Sequence, residues 1–148
     1  MLNNIKNSII MKRKEPKYKY NYSMLVDDSE LDNFINKNII ESNHFSSKVY
    51  VNSGSVSALE FLNNLAVFGN ETLNIFPDII FIDLNMPMMN GFQFISNLKK
   101  IFPEKLLSLK LVLLTSSDDI EDKQKAEEIW KGITFLNKPL TEEMLNQL

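Results

Sequence analysis

Cysteine is absent from the 148 residues, which excludes disulfides, thiolate metal sites and cysteine nucleophiles and is consistent with a reducing compartment. There is a single histidine, His44, in "ESNHFSS" at a predicted helix end, far in sequence from every motif below. A cation beside a helix C-terminus needs no further role. No apolar run approaches the roughly 18–20 residues that span a bilayer. Near the N-terminus, Ile5, Ile9, Ile10 and Met11 run straight into Lys12-Arg13-Lys14, where a signal peptide would continue its apolar core. Repeats are also absent. What remains is ordinary: 44% hydrophobic and 24% charged residues, at a length that fits one domain with a real core. The net charge of −3 is unevenly spread. Residues 1–21 hold six Lys/Arg and one acid, a basic tail read as mostly disordered; residues 22–148 hold 10 basic and 18 acidic residues, or −8. An acidic body argues against a nucleic-acid surface.

Past the tail, short apolar runs alternate with helical periodicity. Strands are expected at 22–26, 48–51, 78–83, 110–115 and 133–137. After the first strand Ser29 is a plausible N-cap, and Leu31, Phe34, Ile35 and Ile39 recur at helical spacing. A second helix carries Val56, Leu59, Leu62 and Leu65, and a third carries Phe92, Ile95, Leu98 and Ile101 and stops before Pro103. A fourth, charged helix over 120–131 has Ala126, Ile129 and Trp130 as its apolar side, with Trp130 a packing or partly exposed residue, and a last helix begins at 141. Strand and helix in alternation, five times, predict an open parallel sheet with helices on both faces. The third strand, "DIIFID", does not alternate and should be covered on both sides.

In such sheets ligands bind at the carboxyl ends of the strands. Those ends carry Asp27-Asp28, Asp83, Thr115-Ser116-Ser117 and Lys138-Pro139. Three converging acids repel one another unless a cation sits among them. Oxygen ligands without His or Cys select a hard divalent ion, Mg²⁺ (or Mn²⁺) rather than Zn²⁺. Lys138 and the Thr115 hydroxyl then stand as donors for an incoming anion. Together they describe a phosphoryl-transfer site with a carboxylate nucleophile, whose acyl phosphate product is hydrolysable and suits a switch.

At this point the sequence resembles a known family, the receiver domain of bacterial two-component response regulators. The likeness rests on "LVDDSE" (25–30), "FIDLNMPMMNG" (81–91), "LLTSS" (113–117) and "FLNKP" (135–139), in the family's order, and runs from about Tyr22 to Leu148. Any one motif is weak and the set is specific. The resemblance implies a flavodoxin-like, doubly wound five-stranded sheet of order 2-1-3-4-5 and a receiver domain over 22–148. It implies that Asp83 is the phosphoacceptor, with Asp28 a direct Mg²⁺ ligand, Asp27 a ligand through water, and Asn85 lending its backbone carbonyl. Lys138 would pair with Asp83 and then with the phosphoryl group, across a cis Lys138–Pro139 bond. Thr115 and the Ser116 amide would bind phosphoryl oxygens, while Asn85 and Ser117 would tune the phosphoryl lifetime. Phe135 stands at the family's switch aromatic; its inward turn, when Thr115 moves, would alter the surface of the fourth helix, fifth strand and fifth helix. Lacking a hydroxyl, it should be less biased outward than a tyrosine.

The expected protein is a stand-alone, cytoplasmic receiver, monomer or weak dimer, with no DNA-binding domain and no membrane segment. It would not be an enzyme beyond its own phosphorylation and dephosphorylation. Its partners would be a histidine kinase or His-containing phosphotransfer protein and a downstream protein. Three other readings stand beside this one. An aspartyl-phosphate phosphohydrolase would want a second acid where Asn85 stands. A flavin module would want phosphate-cradling amides where this chain has "DDSELD". A receiver-like interaction module would work without phosphorylation. The stretch from Asp28 to Asp83 is longer than is usual in the family, and a longer loop is expected around "GNETLNIFP" (69–77), away from the site.

Overall fold

The computed structural model describes residues 14–70 and 72–148. The first thirteen residues of the predicted tail lie outside that range. Five strands form one parallel sheet: β1 (Tyr20–Val26), β2 (Ser46–Asn52), β3 (Ile79–Ile82), β4 (Lys110–Thr115) and β5 (Thr134–Asn137), in the order β2-β1-β3-β4-β5. The helices are α1 (Glu30–Ser42), α2 (Ser55–Phe68), α3 (Gly91–Ile101), α4 (Ile120–Ile129) and α5 (Glu142–Gln147), with a 3₁₀ turn at Pro103–Lys105. This is the flavodoxin-like winding that the resemblance implied.

Alternation along the strands divides the interior into two cores. Met24, Val26, Ile80, Ile82, Leu111 and Leu113 face α2, α3 and α4, while Leu25, Ile79, Phe81, Val112 and Leu114 face α1 and α5. All four residues of β3 are buried, which is why that strand reads as an unbroken apolar run. Trp130 joins the first core and is buried, the packing residue of the two readings given for it. The sheet starts two residues earlier than its apolar pattern indicates. Tyr20 pairs with Ser46 and packs on Phe45, and the Asp78 carboxylate accepts from the backbone N–H groups of Asn21 and Tyr22. These contacts are made across the fold, not along the chain.

The larger departure is in α1. Leu31 and Phe34 are 66% and 65% exposed and Ile35 is also exposed, whereas Asn33, Asn36 and Ile40 are buried. The helix is thus turned so that an asparagine row faces the sheet. Asn33 explains part of this, because its side-chain N–H donates to the Asp27 carbonyl at 2.7 Å. A smaller departure of the same kind is Val56 in α2, which is exposed while Ala58, Leu59 and Leu62 are buried. Among the described residues no helix is long and apolar enough to cross a membrane. The long α2–β3 connection opens with a turn in which the Asn70 side chain accepts from the N–H groups of Thr72 and Leu73. It enters β3 at that strand's amino end, away from the site.

Candidate functional site

Asp27, Asp83 and Lys138 are each fixed by a backbone bond that prolongs the sheet. The Asp27 N–H donates to Asn52 O at 3.2 Å, Asp83 N–H to Val26 O at 2.9 Å, and Lys138 N–H to Thr115 O at 2.8 Å. Thr115 is the last residue of β4, paired with Asn137. The ladder therefore delivers these side chains to one edge as rigidly as it holds the strands.

Asp27, Asp28 and Asp83 each present a carboxylate oxygen, all within 4.8 Å of one another; Asp27 and Asp83 are buried and Asp28 is exposed. The Lys138 ammonium lies 2.6 Å from Asp27 Oδ2 and 3.1 Å from Asp83 Oδ1. Burial pushes the Asp83 carboxyl above its ordinary range; repulsion from Asp27 and, less strongly, Asp28 adds to this, and Lys138 only partly offsets it. Burial alone would lower Lys138, but its hydrogen bonds to Asp27 and Asp32, with the Asp27 and Asp83 charges, hold it above its ordinary value. An oxygen-only donor set with surplus negative charge fits a hard divalent ion.

Sequence reasoning missed Asp32. Its Oδ2 accepts from Lys138 at 2.8 Å, closer than Asp83. The available signal was an acid in the first turn of a helix that leaves directly from Asp27-Asp28, easily taken as a complement to the helix dipole.

Thr115 is fully buried, and its Oγ1 accepts from the Ser117 N–H at 3.2 Å. Ser117 in turn donates to Asp122 at 2.9 Å, and Asn137 donates to Asp118, tying the β4–α4 loop to both neighbours. Ser116 is exposed, as is Asn85, two residues past Asp83. Phe135 is half-buried, with the Lys123 ammonium 5.4 Å from its ring centre. It pairs with Leu113, so it shares a sheet face with Leu113 and Thr115, one register step away. The Lys138–Pro139 bond is cis. His44 is exposed at the end of α1, with φ 50°, and its N–H donates to Glu41 O. It has no contact with the site.

The raised Asp83 carboxyl has a consequence for stability. The folded chain keeps this proton to higher pH than the unfolded chain, whose carboxyl titrates near the ordinary 3.8, so stability falls as pH rises from there through the raised value. Asp83→Asn removes a charge the fold disfavours. The variant should show a higher urea midpoint than the parent near neutral pH, with the gap closing in acid below the ordinary carboxylate range. A lower midpoint at neutral pH would mean that the Lys138 contact outweighs burial and repulsion.

The family model described as response regulator receiver domain matches residues 24–148. Among solved structures, a two component response regulator from Cytophaga hutchinsonii is 33% identical, with a TM-score of 0.77 over 86% of this chain and 92% of that one. Chemotaxis protein CheY4 of Vibrio cholerae is similar in fold, with 24% identity and a TM-score of 0.67 over 86% of this chain and 93% of that chain. Protein-glutamate methylesterase/protein-glutamine glutaminase 3 of Burkholderia thailandensis is 27% identical over 116 residues, or 78% of this chain. This chain spans only 28% of that relative's length.

Proposed function

The chain belongs to the response regulator receiver domain family, and on that premise we propose that Asp83 accepts a phosphoryl group and that the modified protein signals through a changed surface. The observation that carries this reading is the meeting of Asp27, Asp28 and Asp83 with the Lys138 ammonium at the carboxyl ends of three strands, and with the buried Thr115 at a fourth. In the transfer, a carboxylate oxygen of Asp83 attacks phosphorus. The new O–P bond forms as the donor's bond to phosphorus breaks, and its electron pair leaves with the donor: acetate from acetyl phosphate, or the imidazole nitrogen of a phosphohistidine. Asp28, Asp83 and the Asn85 carbonyl would hold Mg²⁺ or Mn²⁺ directly, and Asp27 through water. When bound, that ion supplies positive charge to the phosphoryl oxygens.

Lys138 contributes the second positive charge, from a side chain only 16% exposed, where screening by water is weak. Thr115 and the Ser116 N–H donate to the remaining oxygens. Thr115 must release its acceptor contact with Ser117 N–H to move toward Asp83, and the space it leaves lies on the face that Phe135 shares. A few kcal/mol of differential contact is enough to shift such an equilibrium. The responding surface is α4, β5 and α5. Asn85 and Ser117 flank the approach of water and set the lifetime of the acyl phosphate, which is the only turnover the chain would catalyse. A protein phosphodonor, a histidine kinase or His-containing phosphotransfer protein, is supported by Leu31, Phe34 and Ile35, exposed on the helix that begins three residues after Asp27.

Incubation with Mg²⁺ and acetyl phosphate, read by intact mass, is expected to add one phosphoryl group. The gain should vanish in Asp83→Asn and on chelation of the metal. A folded wild-type protein that gains nothing, or an Asp83→Asn variant that gains as much, would overturn this reading.

A further inference from the structure

The Lys138 ammonium has three N–H donors and three carboxylate neighbours on three separate elements: Asp27 after β1, Asp32 in α1 and Asp83 after β3. Two of these belong to the three-acid group that fits a divalent cation, and Asp32 does not. Asp27 is already divided, its Oδ1 accepting from the Ser29 N–H at 2.9 Å and its Oδ2 from Lys138 at 2.6 Å. A cation shared among Asp27, Asp28 and Asp83 competes with Lys138 for two of its three partners. Asp32 alone has no competing claim: Lys138 is the only partner its carboxylate has among the described residues. Its backbone is itself fixed, because the Asp32 N–H donates to the Ser29 cap at 3.2 Å. The helix start therefore presents this carboxylate at a set position.

We propose that Asp32 is a positioning residue for Lys138, holding the ammonium at the mouth of the site while Asp27 and Asp83 serve the cation, and so keeping it within reach of the phosphoryl oxygens. This rests on Asp83 being the phosphoacceptor. A lysine carries its charge on a long flexible stem, so an anchored ammonium reaches the transition state without first being ordered. The opposite effect, Asp32 drawing the ammonium away from the phosphoryl group, would appear as faster phosphorylation once the acid is removed.

The test uses the full chain saturated with Mg²⁺. Asp32→Asn should gain phosphoryl from acetyl phosphate about tenfold more slowly than wild type. Asp32→Glu should recover most of the rate, and Asp32→Asn should cost nothing further in a Lys138→Met background. Should asparagine unsettle the helix start, Asp32→Ser carries the same expectation. A second measurement needs no phosphorylation. In ¹H–¹³C NMR of the Mg²⁺-loaded protein, the Lys138 Cε protons should be distinct in wild type and collapse toward an averaged, exposed-lysine position in Asp32→Asn. A rate in Asp32→Asn at or above wild type, or an equal loss in the Lys138→Met background, overturns the proposal. If wild type takes no phosphoryl group, the phosphoacceptor reading fails separately, and an unchanged Lys138 signal in Asp32→Asn then overturns the positioning role.

Discussion

Lys138→Met should cost the fold about 3–5 kcal/mol in the absence of divalent cations, because it strips the counter-charge from a buried ion pair. Among the described residues no other Lys or Arg is paired with Asp27, Asp32 or Asp83. The methionine fills most of the volume of the lysine stem, so the loss is one of charge and hydrogen bonds and not of packing. Asp27 and Asp83, both buried, are left facing each other. The chain can relieve this by protonating Asp83, whose carboxyl already lies above its ordinary range with the lysine present. Removing Lys138 takes away the influence that lowers it and raises it further.

The sign follows from proton linkage. The folded variant binds more protons than the unfolded chain between the ordinary carboxylate value and the raised one, so its stability falls as pH rises through that window. Urea unfolding at about pH 5 and about pH 7.5 should therefore show a larger deficit at the higher pH. Saturating Mg²⁺ should narrow the gap, since without the competing ammonium the folded variant binds the ion more tightly than wild type does, and stabilisation by mass action grows with affinity. The variant should also accept phosphoryl far more slowly than wild type, its second positive charge being gone. A urea midpoint equal to wild type at both pH values would show that the acids are well enough hydrated to dispense with the lysine.

The site was legible in the sequence for a physical reason. The inner strands β1 and β3 run into the sheet edge through buried apolar residues, so the first charged residue after each marks that edge. Asp27 and Asp83 stand there, and Lys138 follows the half-buried edge strand β5 in the same way. Thr115 was legible by register, as the polar end of "KLVLLT". Periodicity failed where polar residues are buried by partners it does not show. In α1 it chose Leu31, Phe34 and Ile35 for the interior, but Asn33 is turned inward by its bond to the Asp27 carbonyl. That turn exposes an apolar stripe next to the site and also sets Asp32 against Lys138. One local hydrogen bond thus accounts for part of the misread face, and the same turn of the helix places the overlooked acid. The start of β1 was hidden in the same way, since Tyr20 and Asn21 owe their strand conformation to Ser46, Phe45 and Asp78, remote in the chain.

The second large effect is expected at Gly91, where a methyl group would test how tightly Asp83 is held. Gly91 opens α3 beneath the loop that follows β3, and its N–H donates to Leu84 O at 2.8 Å. Its backbone is not in the left-handed region, so alanine meets no conformational penalty there. The obstacle is space: an added Cβ would lie 2.8 Å from the Asp83 carbonyl oxygen and 2.9 Å from Leu84 Cα. Both are backbone atoms and cannot rotate aside. Relief requires the helix start or the Asp83–Leu84 backbone to move, at about 1–3 kcal/mol for overpacking of this kind. Movement of the order of 1 Å at a reacting group can cost about 100-fold in rate. Gly91→Ala should therefore lose one to two orders of magnitude in acetyl phosphate reactivity while remaining folded by circular dichroism. Gly132→Ala provides the contrast, since its φ of 80° strains any side chain but no atom lies within 4 Å of the added methyl. It should lose stability by about 1–2 kcal/mol and keep its phosphorylation rate. If Gly91→Ala reacted as fast as Gly132→Ala, the close approach of α3 to the Asp83 backbone would not be what holds the nucleophile in place.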